Sequence, residues 1–501
     1  MCGIVTLWGR QDPTTVRDML DALEHRGPDG RAVHTHHAGP TATLGHTRLA
    51  IIDPAGGHQP LVSAHDGAAL VCNGMIYNDR VLRARLADAP FRSGSDSECI
   101  LHGYAAWGPA VVEQLDGMFA FVLVDGEGAC FAARDRLGKK PLYWGRIGDS
   151  IAFASEIGAL AGVASDIAEF PAGHAWHSSS GLRRYYAVPD PSTGRADEQE
   201  AAAAVRVTLE RAVAKRMRSD VPLGAFLSGG LDSSAIAALA RRHVDELHTY
   251  AVGLPDSSDL AAARRVAEHI GSIHHEHVIT PGEIADTLPR VVRHLESHDR
   301  DLVRSAVPTW FVSRLAARDV KVILTGEGAD ELFAGYTYHG DYRDADLLQR
   351  ELQRSLTAMH NVNLQRVDRM TMAHSLEARV PFLDPELIAL ALDIPAALKQ
   401  RPAAAGDGAK WILRRACEDL LPREIVWRDK LQFDQGSGFS DHLAHHARRE
   451  QRAGRLGGVP AANAEETLYA RLQSQGCPTR ARAVQALTAH WRQGRTERQA
   501  A

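Results

Sequence analysis

Short apolar runs separated by turn residues fill the chain as far as Asp190. The runs 3–8, 42–52, 68–77, 119–125 and 151–153 are rich in β-branched or aromatic residues and bounded by Gly, Pro, Asp or Asn, a pattern that predicts strands. Between them, apolar residues return every three or four positions over 15–25, 79–87 and 97–106, which predicts helices and a mixed sheet-and-helix unit over 1–190. The string PSTGRADEQE then offers nothing to bury, so 191–200 reads as a linker. Beyond it, Ala-rich helical segments alternate with short apolar runs at 221–227, 247–254 and 320–325. Helices long enough to cross over between strands predict a parallel sheet covered on both faces. After Leu332 strand signals fade and helical periodicity dominates to Trp491, leaving 492–501 as a frayed tail.

Composition narrows the function. A length of 501 residues suggests about three compact units, with two also acceptable, and 45% hydrophobic with 24% charged residues suits ordinary folded domains. Lys plus Arg (57) against Asp plus Glu (62) leaves a net charge of −5, which argues against a nucleic-acid or polybasic membrane partner. No apolar stretch approaches the roughly 20 residues of a membrane span, and MCGIVTLWGR has no signal-peptide pattern, so a cytoplasmic protein is expected. The six cysteines form no CxxC pair, which argues against a disulfide framework or structural zinc. The groups His34, His36, His37 and His274, His275, His277 read as solvated loops or strand ends, because no Cys or carboxylate cluster in the chain completes a ligand set.

Three strings carry chemistry. LSGGLDSS (227–234) follows an apolar strand and opens a helix, so its backbone N–H groups and helix N-terminus suit phosphates, and Asp232 supplies a carboxylate for Mg²⁺. A tight βα turn capped by Asp232 and Ser233 would use the same residues, and the Lys of a Walker loop is absent. LTGEGADELFAGY (324–336) packs Glu327, Asp330 and Glu331 close together, a density that a metal–nucleotide site would neutralise. At the N-terminus, loss of Met1 would give Cys2 a thiol nucleophile and, in its own amine, a general base.

MCGIV, HRGPDG, GHTRLAIID, NGMIYN, SGSDSE and ARDRLGKKPLYW together resemble the glutaminase domain of N-terminal-nucleophile amidotransferases. With SGGLDSS, GEGADELF, EARVPFLD and WRDKLQF, nearly the whole chain resembles the glutamine-hydrolysing asparagine synthetases. The resemblance implies an αββα Ntn-hydrolase sandwich followed by a parallel-sheet ATP pyrophosphatase domain with a helical C-terminal part. It implies ATP and Mg²⁺ as cofactors, glutamine and a carboxylate as substrates, an internal ammonia channel, and leaves a homodimer open. By the same resemblance Cys2 attacks the glutamine amide, with Asn73 and the N–H of Gly74 as oxyanion donors. Arg48 and Asp96 would take the carboxylate and ammonium of glutamine beside Met75. The second site would hold ATP through Leu227, Ser228, Gly229, Gly230, Asp232, Ser233, Val252, Thr325 and Gly326, with Asp232 and Asp330 on the metal. Glu327 would orient or deprotonate ammonia, Lys430 would neutralise the leaving pyrophosphate, and Arg304 and Asp384 would stand on the phosphate or acceptor side.

Three departures from the family pattern matter. Met75 replaces a usual Glu, which predicts weaker glutamine binding, and Thr325 conservatively replaces a Ser. Arg300, Asp301 and Leu302 stand where a small apolar residue and two threonines are usual. If they line the acceptor pocket, unmatched charge there would disfavour L-aspartate and favour a different carboxylate. The leading expectation is conversion of L-aspartate to L-asparagine through a β-aspartyl-AMP; the alternative is amidation of another carboxylate by the same architecture.

Overall fold

The structure is a computed structural model, and it describes residues 2–191, 197–255, 257–401, 408–429, 439–456, 463–475 and 477–488. In chain order its strands are β1 (Gly3–Trp8), β2 (Gly30–His36), β3 (Ala42–Arg48), β4 (Leu61–Val62), β5 (Ala69–Ile76), β6 (Gly117–Val124), β7 (Cys130–Arg134), β8 (Tyr143–Ile147), β9 (Ser150–Ala154), β10 (Ser165–Glu169), β11 (His174–His177) and β12 (Gly181–Arg184). The second half adds β13 (Leu223–Phe226), β14 (His248–Gly253), β15 (Ile273–Val278), β16 (Val322–Leu324) and β17 (Glu377–Arg379).

The first twelve strands form two six-stranded sheets, ordered β10-β8-β9-β1-β3-β2 and β12-β11-β7-β6-β5-β4. Side chains alternate across each strand, and here both faces are covered. On β5, Ala69 and Val71 join Ile4, Leu44, Val122 and Phe153 in the layer between the sheets. Leu70 and Cys72 instead pack with Ile100, from the helix Glu98–Trp107. On β1, Val5 and Leu7 turn outward onto Val16, Met19 and Leu20 of the helix Pro13–Asp21. Four layers result, the expected αββα sandwich. Double burial is why these strands read as apolar runs rather than as alternating ones.

The second half is a five-stranded parallel sheet, β15-β14-β13-β16-β17. The helices Glu198–Arg216 and Leu231–Arg241 pack on one face, and Pro281–Leu295 and Arg300–Ala316 on the other. Its last described helices are Phe439–Arg452, Ala464–Ser474 and Pro478–Leu487. Successive strands move from β13 to β14 on one side and to β16 on the other, so the loops after β13 and β16 open a crevice at the carboxyl edge of the sheet.

Several expectations need correction. The helix Glu198–Arg216 begins inside the expected linker, because the side chain of Asp197 caps it by accepting from Gln199 N and Glu200 N. A strand does follow Leu332: β17 is three residues of EAR, too short and too polar to show a period. Of the histidine-rich groups, His37 follows β2 as an exposed loop residue, while His34 and His36 lie on β2 and His274, His275 and His277 on β15.

Buried ion pairs weld the two halves together. Arg369 reaches Glu156 and Glu296 at 2.8 Å each, Arg26 reaches Glu156 at 2.7 Å and Asp368 at 2.9 Å, and Lys140 meets Asp368 at 3.3 Å. Burial opposes the charge on Glu156, but Arg369 and His25 outweigh it and hold that carboxyl well below the usual range. Its stabilisation is therefore complete above the ordinary carboxylate pKa and fades as pH falls through the depressed value. Arg369→Met removes the guanidinium that Glu156 and Glu296 share, leaving Glu156 to Arg26 and Glu296 to Arg480, and urea unfolding is expected to show a loss of about 3 kcal/mol.

Candidate active sites

Cys2 precedes β1 in one sheet and Asn73 lies on β5 in the other, so the junction of the two sheets brings them together. The main-chain nitrogen of Cys2 donates to Asn73 Oδ1 at 3.0 Å, and Arg26 Nε donates to the Cys2 carbonyl at 3.1 Å. Asn73 Nδ2 is buried without a hydrogen-bond partner, a pre-oriented donor next to a thiol. Burial pushes the Cys2 thiol up, so it rests neutral and needs a base to act. Gly74 follows on the same strand, and a Cβ there would stand 2.3 Å from Met118 O, which keeps β5 tight against β6.

A small cleft of about 30 Å³ opens beside Cys2, lined by Arg48, Gly74, Met75 and Asp96 among others. Arg48 donates to the carbonyls of Asp53 (2.6 Å) and Pro54 (2.8 Å), bracing the loop that forms the cleft wall. Asp96 accepts from Ile76 N at 2.7 Å, yet burial pushes its carboxyl up to about 6. Met75 packs with Leu49, Ile51, Ile52 and Met118, and the same apolar cluster takes in Val322 and Met372 from the second half. Glu377, on β17 of that half, also lines the cleft. Its local sequence carries no signal of this, since only the docking of the two halves creates the contact.

The second cleft, about 630 Å³, sits at the crevice in the parallel sheet and is large enough for a nucleotide. Leu227, Ser228, Gly230, Asp232 and Ser233 line it after β13, Val252 on β14, and Thr325, Gly326, Glu327 and Asp330 after β16. Ser233 Oγ accepts from Ser228 N at 3.1 Å and lies 3.0 Å from Ser228 Oγ, which curls the first loop over the start of the helix Leu231–Arg241. Gly229 does not line the cleft; it turns the loop at φ +74°, and a Cβ would come within 2.5 Å of Ala262 Cβ. At Gly326 a Cβ would meet Asp232 Cβ at 2.9 Å, so the two loops touch only because this residue is Gly.

Asp232 and Asp330 both turn to one ammonium. Lys410 Nζ pairs with Asp232 and lies 2.5 Å from Asp330, and although burial opposes its charge the two carboxylates hold it above the ordinary lysine range. Asp232 Oδ1 is buried with no hydrogen-bond partner. Two convergent carboxylates, one with an unused oxygen, are a donor set that fits a hard divalent cation beside phosphates. Lys410 was missed from sequence because a lone Lys in GAKW carries no local signal. Burial pushes Glu327 up against the opposing pull of Arg366, its ion-pair partner. Neighbouring Glu331, buried beside Asp330 and accepting from Tyr336 OH at 2.6 Å, is pushed up to about 7.

Other expected residues fall elsewhere. Arg304 lines the cleft, but its guanidinium forks onto Glu465 at 2.9 and 2.6 Å. Asp384 does not line it: it caps the helix Pro385–Asp393 by accepting from Glu386 N, and it pairs with Arg216 at 2.9 Å and Lys215 at 3.2 Å. Its place on the phosphate or acceptor side is therefore withdrawn. Lys430 lies outside the described residues. Asp301 and Leu302 do line the cleft, but Arg300 Nε donates to Asp301 Oδ1 at 3.1 Å. The added cation and anion answer each other, and the expectation of an unmatched charge in the acceptor pocket loses its premise.

Among the described residues no helix is long and apolar enough to cross a membrane. Comparison with known proteins matches residues 1–182 to the glutamine amidotransferase domain and residues 204–346 and 340–500 to the asparagine synthase family. The chain is 39% identical over 473 residues to a glutamine-hydrolysing asparagine synthetase of Triphysaria versicolor, covering 89% of this chain and 80% of that one. It is 40% identical over 475 residues to glutamine-hydrolysing asparagine synthetase 3 of Arabidopsis thaliana, covering 90% and 82%. Synthetase 2 of the same plant is 39% identical over 475 residues, with the same shares covered.

Proposed function

We propose, from the premise that this chain belongs to the glutamine-hydrolysing asparagine synthetase family, that it makes L-asparagine from L-aspartate, ATP and glutamine. The reading rests on one observation. A single chain carries a buried thiol beside an unpartnered amide donor, and a nucleotide-sized acidic cleft in its other half, with an apolar cluster reaching from the first into the second half.

At the first site, with Met1 removed, the α-amine of Cys2 takes the thiol proton and Sγ attacks the side-chain carbonyl of glutamine. Asn73 Nδ2 and the N–H of Gly74 donate to the oxyanion. Ammonia leaves, and water cleaves the thioester to glutamate. Asp96 holds the ammonium of glutamine and must be ionised to do so. With its carboxyl at about 6, KM for glutamine is expected to rise about tenfold per unit as pH falls below that value. Glutaminase kinetics between pH 5 and pH 8 check this, and Asp96→Asn should raise KM at neutral pH and flatten the profile.

At the second site the loops 227–234 and 325–330 hold ATP, and the aspartate β-carboxylate displaces pyrophosphate from the α-phosphorus. Asp232 and Asp330 are the residues that would hold Mg²⁺, whose chemistry there is neutralisation of phosphate charge. Lys410 adds a fixed positive charge at the same oxygens. Glu327, disposed by burial to take up a proton, orients ammonia for attack on the acyl carbon, and AMP leaves. The working units on this reading are 1–190 for glutamine hydrolysis and 201–491 for synthesis.

The test is steady-state assay with glutamine, L-aspartate and MgATP, following asparagine, AMP and pyrophosphate. Equal, saturable formation of the three supports the proposal. Glutamine hydrolysis without asparagine formation overturns it.

A further inference from the structure

The parallel sheet carries a second cluster of ligand-type side chains outside the lining of the nucleotide cleft, with Tyr250 between the two. His248 is the first residue of β14, His275 lies on the edge strand β15, and Asp319 stands in the loop before β16. In the parallel register Tyr250 faces His275, so His248, Tyr250 and His275 share one face of the sheet. Their rings are nearly parallel, with centroids 5.2 Å apart for His248 and His275 and 4.9 Å for Tyr250 and His275. His248 Nδ1 and His275 Nε2 approach to 2.9 Å, and one potential ligand atom from each of His248, His275 and Asp319 lies within 4.8 Å of the others.

We propose that His248, His275 and Asp319 form a binding site for one borderline divalent transition-metal ion, with Zn²⁺ the best fit. Two neutral imidazoles whose nitrogens face each other can share only one proton, and a dication takes the place of that proton while giving both nitrogens a common partner. The carboxylate of Asp319 supplies the third ligand. It is already oriented, since Tyr250 OH donates to Asp319 Oδ2 at 3.2 Å, the kind of outer contact that fixes a metal ligand. The His275 and Asp319 side chains are 30% and 37% exposed, so an ion can enter and water can complete a four-coordinate shell. Two nitrogens and one oxygen favour Zn²⁺ over Mg²⁺ or Ca²⁺, which prefer all-oxygen shells. This separates the site from the Asp232–Asp330 pair. The histidines are far apart in sequence from one another and from Asp319, which is why the HHEH string alone shows no ligand set.

The ion would tie β14, the edge strand β15 and the loop before β16 into one unit. Edge strands otherwise fray or recruit other strands, and this one carries IHHEHV. Binding to the folded state alone raises stability by mass action.

The experiment titrates untagged full-length protein with ZnCl₂ in excess MgCl₂, by calorimetry and by thermal unfolding. One Zn²⁺ per chain is expected, with a rise of a few degrees in the unfolding temperature. His248→Asn, His275→Asn and Asp319→Asn should each weaken that site by more than about tenfold and abolish the rise, while glutaminase activity, which does not use these residues, reports an intact fold. Co²⁺ should give a tetrahedral visible spectrum in the wild type and lose it in the variants. Should a histidine variant fail to fold, Asp319→Asn, on the exposed loop, decides alone. No Zn²⁺ bound in excess Mg²⁺, or unchanged stoichiometry and affinity in Asp319→Asn, overturns the site.

Discussion

Cys2→Ala is expected to abolish asparagine formation from glutamine while ammonium salts still support it. On the proposed mechanism the thiol is the nucleophile, and the buried amide NH₂ of Asn73 has no reacting carbonyl to stabilise without it. Loss of a covalent nucleophile costs on the order of 10⁴-fold or more in hydrolysis. The second cleft draws its lining from 226 onward and does not include Cys2. Adenylation of aspartate and its capture by external ammonia should therefore proceed near the wild-type rate. The measurement is asparagine yield with glutamine or with ammonium chloride as nitrogen donor, after ammonia is stripped from the glutamine stock. Glutamine-dependent synthesis that survives would remove Cys2 from the chemistry. Failure with both donors would mean that the substitution disturbs the interface, where Arg26 holds the Cys2 carbonyl and also pairs with Asp368.

What could be read in the sequence was whatever a short string encodes. LSGGLDSS shows its turn and its helix start within eight residues, and the structure folds it that way because Gly229 and Gly326 admit the close approaches the loops require. The αββα sandwich was legible in outline, since strands buried on both faces are apolar runs. What stayed hidden was created by distance along the chain. Lys410 meets Asp232 from 178 residues away, and Glu377 reaches the cleft beside Cys2 only through docking of the two halves. β17 is three buried residues, two of them charged, and β15 is a polar edge strand; neither has a hydrophobic period to detect. Asp384 was misassigned because it closes a motif of the synthetase half, whereas its carboxylate is consumed by a helix cap and by Arg216 and Lys215.

Asp232→Ala is expected to remove pyrophosphate release and leave glutamine hydrolysis. Asp232 and Asp330 hold Lys410 between them, and Asp232 brings the one oxygen of the pair that is buried and without a partner. Without it the site keeps a single carboxylate opposite Lys410, and that carboxylate is neutralised by the ammonium rather than available to a metal ion. Charge neutralisation at transferring phosphates is worth several kcal/mol, so turnover should fall by about 10³-fold or more. Asp232→Asn separates charge from shape: it keeps the side-chain volume against Gly326, where the two loops touch, yet should be nearly as inactive. A structural role alone would spare the Asn variant. Glutaminase activity serves as the internal control of folding in both, because the residues lining its cleft lie at the sheet junction of the first half, with Glu377 the one named contact from the second. Pyrophosphate release at the wild-type rate in Asp232→Asn would move the metal away from this carboxylate and leave Lys410 as the cation that meets the phosphates.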